Sequence, residues 1–178
     1  MKAVSPTSVF AALVVLTPVP TFAGPVSELR FGVFDHDIGF LGNNKEKGVD
    51  INGEVLFDSP DFLGVVWSPR PTLGASINTS GYTDQFYGAL TWQFEPVQDL
   101  FLEFSLGGSV HTGSLEYVEG SSHKDLGTRA LFRESIAVGY RIDQHNSISV
   151  AFDHESNAGI GPHNPGLNNV GLRWGYRF

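Results

Sequence analysis

The chain has no cysteine, a single methionine in 178 residues, and 11 basic residues against 19 acidic ones. The absence of cysteine excludes disulfides, so an exported chain of this kind must gain its stability from packing or from closure of the fold. The formal net charge of −8 and the lack of a basic cluster argue against a nucleic-acid partner, because phosphate binding needs grouped lysine and arginine. No stretch after the N-terminal region approaches the roughly 18 apolar residues of a spanning helix.

The N-terminal region has the pattern of a secretory signal peptide. Lys2 precedes a short apolar run over residues 9–16, and Ala23 ends the segment before Gly24 and Pro25. The run is too short, and too interrupted by proline, to be a spanning helix. We predict a signal peptide over residues 1–23 and a single folded domain over residues 24–178.

What the chain does contain is glycine, phenylalanine and a repeated period-two alternation. Its 21 glycines and 14 phenylalanines favour β-structure with tight turns. The alternation predicts strands at residues 27–36, 49–57, 72–78, 85–95, 100–111, 131–142, 147–157 and 168–178. Short connections alternate with long ones, which is the pattern of outer-membrane barrels. Residues 58–70 depart from that pattern, and we predict an irregular connection at the periplasmic rim.

The two faces of these strands decide between a membrane barrel and a soluble one. One face is apolar, with aromatic residues near the strand ends; the other carries Arg30, Asp50, Glu54, Glu103, Arg133, Arg141, Arg173 and Arg177. Charges of both signs can pair inside the narrow lumen of an eight-stranded barrel. We therefore predict an all-β, eight-stranded antiparallel up-and-down outer-membrane barrel. The alternative is a secreted lipid-binding barrel whose apolar face points inward.

His154 and Ser156 are the first candidates for chemistry. They are two residues apart on a predicted strand, so their side chains leave the same face as Val150 and Phe152. A serine hydroxyl is a poor nucleophile until a neighbouring base takes its proton, and a histidine one pleat away can do so. The alternative is a histidine and a serine at the rim that contact lipid headgroups.

A histidine base also needs a group that orients its ring. Glu134 lies on the apolar face of the sixth predicted strand, where an unpartnered carboxylate is costly. If paired residues of the sixth and seventh strands sum to about 288, Glu134 falls opposite His154. Asn168 lies on the same face of the eighth strand, on the other side of His154. Alternatively, Glu134 contacts only water or a cation at the interface.

The run His154-Glu155-Ser156-Asn157-Ala158, the Asn164-Pro165-Gly166 that follows and the closing strand resemble the lipid A 3-O-deacylase (PagL-type) family. The similarity is strongest over residues 130–178. The resemblance implies an eight-stranded outer-membrane barrel that removes the 3-position acyl chain of lipid A by means of serine, histidine and an acidic residue. It further implies His154 as base and Ser156 as nucleophile, with Asn157, Gly159 and Asn164 around the oxyanion.

One departure from the family concerns the acidic residue, which falls twelve positions after the serine, where this chain has Asn168. Three outcomes follow: Asn168 orients His154 as a neutral acceptor, Glu134 replaces the acid from the other side, or activity is reduced. Loss of the charge weakens stabilisation of the imidazolium. We therefore expect Glu134 to orient the ring, with Asn168 in support.

The remaining polar candidates are weaker. Asp35, His36, Asp37 and His163 lack the spacing of a zinc site, so we expect no metal and no other cofactor. Lys124, like other charged loop residues, is a candidate for contact with lipid A phosphates.

Taken together, the residues and the resemblance predict an outer-membrane serine esterase acting on lipid A or lipopolysaccharide in the outer leaflet. The rival is a non-catalytic small barrel with a structural or surface-loop binding role. The sequence leaves the oligomeric state open.

Overall fold

The computed structural model describes residues 26–39 and 43–178, so the predicted signal peptide lies outside the described residues. Eight strands form one closed antiparallel barrel in which each strand pairs with the next and the last pairs with the first. The strands are β1 (Val26–Asp35), β2 (Val49–Phe57), β3 (Arg70–Asn78), β4 (Gln85–Val97), β5 (Leu100–His111), β6 (Ala130–Arg141), β7 (Asn146–Ser156) and β8 (Leu167–Arg177). The predicted fold is confirmed, with boundaries that shift by two residues or fewer at every strand end.

The apolar face of the barrel points outward. Its exposed members include Phe31, Val33, Ile51, Leu73, Phe86, Leu102, Ile136, Val150 and Leu172. The charged and polar residues that alternate with them are mostly buried, which is the pattern of a membrane barrel rather than of a soluble one. The alternative with an apolar interior is therefore wrong. Among the described residues, no helix has the length and apolar character needed to cross a membrane.

The interior is filled by a network of charged side chains. Glu54 accepts two hydrogen bonds from Arg173 Nη1, at 2.7 and 2.8 Å, and a third from the Tyr87 hydroxyl at 2.8 Å. Arg30 donates to Glu28 at 2.6 Å and to Glu103 at 2.9 Å. Each of these side chains is at most 5% exposed, so no charge in the network faces the lumen without an opposite charge.

Arg133 completes this network and depends on a glycine for its position. Its guanidinium lies 3.8 Å from the centre of the Tyr87 ring and forms an ion pair with Asp153 at 2.9 Å. The Tyr87 ring in turn occupies the space that a side chain on Gly74 of β3 would fill. A residue larger than glycine at position 74 would displace Tyr87 from both Arg133 and Glu54.

The connections divide the barrel into two unlike ends. Short turns join β4 to β5 and β6 to β7 at one end, and long loops join β1 to β2, β5 to β6 and β7 to β8 at the other. The predicted irregular connection between β2 and β3 lies at the short-turn end and contains a 3₁₀ helix, Asp61–Val66. The candidate site lies at the long-loop end.

Candidate active site

His154 and Ser156 lie on the outward face of β7, where that strand reaches the long loops. His154 pairs with Glu134 on β6 and with Asn168 on β8, and Ser156 pairs with Phe132 on β6. This is the register that the turn between β6 and β7 led us to expect. Glu134, His154 and Asn168 therefore form one row across three strands, with Ser156 one pleat further along.

The orientation of the His154 ring is set by Asn168. The Nδ1–H of His154 donates to Asn168 Oδ1 at 2.7 Å, and the Asn168 side chain is fully buried. Because an amide oxygen only accepts, this bond fixes the tautomer and leaves Nε2 as the ring nitrogen that can take a proton. Burial protects the bond from competition with water.

Glu134 does not make the orienting bond. In the described part of the chain it has no hydrogen bond to His154, although the two residues are cross-strand neighbours, and its Oε2 is buried without a hydrogen-bond partner. The expected preference for Glu134 over Asn168 is therefore not what the hydrogen bonding shows, because Asn168 already occupies Nδ1. A catalytic role for Glu134 stays a prediction.

Asn168 is held in place by the loop between β1 and β2. The Ile38 N–H donates to the Asn168 carbonyl at 2.7 Å, and the Asp37 N–H donates to the side-chain oxygen of Asn169 at 2.9 Å. Asp37 has a positive φ of 54°, which turns the chain across the end of β8. Backbone from a distant loop thus covers the residue that orients His154.

A buried lysine joins the three long loops behind His154. Lys124, in the loop between β5 and β6, is 1% exposed; its ammonium donates to the Asp37 carboxylate and, at 2.7 Å, to the Gly166 carbonyl. Gly166 lies against the His154 ring, since a Cβ at this position would be 3.2 Å from His154 Cε1. The prediction that Lys124 meets lipid A phosphates is wrong, because its charge is enclosed and paired.

His36 forms a second ion cluster under the same loops. Its two ring nitrogens lie 2.8 Å from Asp50 and 3.0 Å from Glu46, so neither is open to a metal. Burial alone would lower the pKa of His36, but the bonds to Asp50 and Glu46 outweigh it and raise the pKa to about 9. Glu46 also accepts the Lys124 N–H at 2.7 Å, which ties the two clusters together. Within residues 26–39 and 43–178, no group of His, Cys, Asp or Glu is placed to hold a metal ion.

The residues predicted around the oxyanion form the turn that follows Ser156. Asn157 donates from its amide to the Leu126 carbonyl at 2.9 Å, and its side-chain oxygen accepts the Gly159 N–H at 2.9 Å. Asn164 accepts the Asn157 N–H at 2.9 Å through its side-chain oxygen. Asn157 and Gly159 thus hold the loop, while the Asn164 NH₂ and the Ala158 N–H make no hydrogen bond to a described residue. Roles at the oxyanion stay predictions.

Two apolar depressions on the outer surface flank this row. One, of about 430 Å³, is lined by Gly107, Gly108, Thr128, Ala130, Leu131, Phe132, Asn157 and Ile160. Gly108 leaves the outer face of β5 without a side chain opposite Phe132, the partner of Ser156. The other, of about 380 Å³, includes Ile136 and Phe152 among its lining residues. Both lie on the membrane-facing side of the barrel.

Known proteins match both the sequence and the fold. The family profile described as "Lipid A 3-O-deacylase (PagL)" matches residues 63–177. Lipid A deacylase PagL of Bordetella bronchiseptica is 27% identical over 114 residues, which is 61% of this chain and 61% of that relative, so the match spans less than two thirds of the relative's length. Among solved structures, the outer membrane enzyme PagL superposes with a TM-score of 0.65 at 17% identity, over 85% of this chain and 100% of that one. A structure described as a de novo design of transmembrane β-barrels superposes with a TM-score of 0.55 at 12% identity, over 86% of this chain and 96% of that one.

The chain belongs to the lipid A 3-O-deacylase (PagL) family. The structural likenesses are likenesses of fold, and they agree with the closed eight-stranded barrel. Family and fold together place the chain in the outer membrane. The resemblance inferred from residues 130–178 is confirmed.

Raising the pH should loosen the long loops, because His36 loses its proton and with it the ion pairs to Asp50 and Glu46. Its folded pKa is raised, so its contribution to stability is complete below about pH 6.5, falls as the pH rises, and is lost above about 9. We expect loop cleavage by an added protease to increase over this range in the wild type and to be nearly independent of pH in His36→Gln. An equal increase in both proteins would contradict this account of His36.

Replacing Lys124 by Met should open the loops without unfolding the barrel. Loss of the ammonium leaves the Asp37 carboxylate buried and unpaired, a change that costs roughly 3–5 kcal/mol in a fully enclosed pair. We expect faster proteolysis of the loops and lower turnover, with the heat-modifiable gel mobility of a folded barrel retained. Exposed Lys47→Met is the matched control and should leave both readouts at the wild-type level.

Proposed function

We propose that this chain hydrolyses the ester that joins an acyl chain to the 3-position of lipid A, in the outer leaflet of the outer membrane. Membership of the deacylase family supports this substrate class. The observation that carries the mechanism is the hydrogen bond from His154 Nδ1 to buried Asn168. It prepares Nε2 as the base on the same strand face as the Ser156 hydroxyl.

In the first half of the reaction, Ser156 Oγ bonds to the ester carbonyl carbon as its proton passes to His154 Nε2. The carbonyl oxygen becomes an oxyanion, for which the Ala158 N–H and the Asn164 NH₂ are the available donors. Collapse breaks the bond to the sugar oxygen, which takes the proton from His154. Water, deprotonated by His154, then releases the fatty acid and restores Ser156.

Ser156 makes no hydrogen bond to His154 in the described part of the structure. Catalytic hydrogen bonds often form or tighten only when substrate is bound. The neutral Asn168 oxygen stabilises the imidazolium less than a carboxylate would. The register brings Glu134 to the opposite side of His154, where its charge can favour the imidazolium without replacing Asn168.

The outer surface supplies a path for the acyl chain. The depression beside Phe132 adjoins the Ser156 end of β7, and the depression that includes Ile136 and Phe152 lies further along the same face. A chain lying in either one stays within its own leaflet while its ester reaches Ser156. This arrangement favours an acyl substrate that approaches sideways through the membrane.

The second candidate is a non-catalytic barrel with a structural or binding role. The observation in its favour is Asn168, which stands where the family resemblance implies an acid.

Mass spectrometry of lipid A separates the two candidates. Cells that express the wild type should lose one 3-position acyl group, while cells with Ser156→Ala should keep it. Ser122→Ala, an exposed loop serine, should behave as the wild type. Unchanged lipid A in every case, with folded protein in the outer membrane, would favour the non-catalytic barrel.

The two neighbours of His154 can be separated by substitution. We expect Asn168→Ala to lower turnover by about 10²–10⁴-fold, because the orienting bond is lost, and Glu134→Gln to lower it by less. Asn168→Glu should raise turnover above the wild type if its carboxylate reaches Nδ1, because a charged acceptor stabilises the imidazolium better. The reverse order for the first two variants, measured with purified enzyme and lipid A, would assign orientation to Glu134.

A further inference from the structure

The connection between β2 and β3 exposes an apolar surface at the short-turn end of the barrel. We define residues 61–67 as the rim segment; it comprises the 3₁₀ helix Asp61–Val66 and Trp67. Phe62 is 73% exposed, Val65 89% and Trp67 83%, and the 3₁₀ helix contains no buried residue. Exposed apolar side chains grouped in this way mark a contact surface rather than a part of the core.

The backbone of the rim segment holds Trp67 in an unfavourable conformation. Trp67 has φ 64° and ψ 35°, and the N–H groups of Trp67 and Ser68 donate to the carbonyls of Gly64 and Leu63 at 3.3 and 3.0 Å. This is the Schellman pattern that closes helices, and its left-handed position is normally filled by glycine. A bulky aromatic residue is strained there. Ser68 follows with a φ of 50°, and this turn holds Trp67 at the rim with 83% of the residue exposed.

The position of the rim segment indicates what this surface contacts. Trp92 lies on the outward face of β4 and donates from its indole N–H to the Val66 carbonyl at 2.7 Å. Its ring is 5.9 Å from that of Phe104, which is 40% exposed within the membrane-facing band. Trp67 itself borders the polar cavity at the mouth of the barrel. The rim segment therefore runs from the mouth to the edge of the membrane-facing surface.

We propose that the rim segment inserts into the headgroup region of the leaflet at the short-turn end, with Phe62, Val65 and Trp67 as its contacts. The apolar surface is continuous with the band that already faces lipid. Asp61 carries the only charge in the segment, and tryptophan is enriched at membrane interfaces. Three side chains are also too few for a stable protein interface, which needs about 20–30 residues on each side.

This contact fixes the height of the barrel in the membrane. The strands are rigid and closed, so anchoring one rim sets the level of the other, where Ser156 lies. The inference does not depend on the esterase reaction. It requires only that the barrel spans the membrane.

The first test is the quenching of Trp67 fluorescence in phosphatidylcholine vesicles. The contribution of Trp67 is obtained as the difference between the wild type and Trp67→Phe, which leaves Trp92 and its bond to Val66 intact. We expect loss of this emission when the lipid chains carry bromine, and little loss with aqueous iodide. Quenching by iodide alone would overturn the proposal. Protection from both quenchers, with crosslinked dimers, would assign the surface to a second copy of the chain and also overturn it.

The second test compares two glycine substitutions that should shift the urea midpoint of unfolding in opposite directions. Asp99 lies in the turn between β4 and β5 at the same end and shares the φ of 64° found at Trp67. Glycine relieves the backbone at either position, so Asp99→Gly should raise the urea midpoint of unfolding in vesicles. Trp67→Gly should lower it, because the loss of the lipid contact outweighs the relief. A rise in both would overturn the proposal; if Trp67→Gly fails to fold, the quenching result decides.

Discussion

The structure depends on charges that neutralise each other inside the barrel. Glu54 accepts hydrogen bonds from Arg173 and Tyr87, and the Arg133 guanidinium lies over the Tyr87 ring. Arg30 donates hydrogen bonds to both Glu28 and Glu103. Because these charges are paired, the lumen can be filled largely by polar groups, and most of the large apolar residues lie on the outer face. This arrangement, with polar groups inside and apolar groups outside, leaves Ser156 and His154 on the membrane side of the barrel, where a lipid ester can reach them. A site on the outside of a barrel is thus a consequence of how the inside is filled.

Much of this follows from the sequence because a strand repeats with a period of two. Alternation fixed the strands and the sense of each face, and one short turn was enough to place Glu134 opposite His154. The rim segment was predicted only as an irregular connection, because no periodicity specifies a 3₁₀ helix with a left-handed tryptophan. The choice between Glu134 and Asn168 also lay beyond the pattern. Both have the strand parity of the outer face, and parity cannot tell which side chain reaches His154 Nδ1.

The loops were the least predictable part, and they complete the site. Lys124, Asp37 and Gly166 are far apart in the chain, and each looks like an ordinary polar or flexible loop residue. Their meeting depends on three loops that fold over one end of the barrel, which no local pattern encodes. His36 has the chemistry of a metal ligand, but two carboxylates enclose its ring instead. In each case the sequence reveals the type of residue but not its partner.

The amide at position 168 gives the site a property that a carboxylate would not. A carboxylate that orients a histidine gains a proton when the surroundings become sufficiently acidic. It then loses its charge and can donate a hydrogen bond as well as accept one. The Asn168 oxygen has no such transition, so it accepts the Nδ1–H of His154 in acid as in neutral medium, and the direction of the ring is unchanged. The geometry of the His154–Asn168 pair is therefore tolerant of acid.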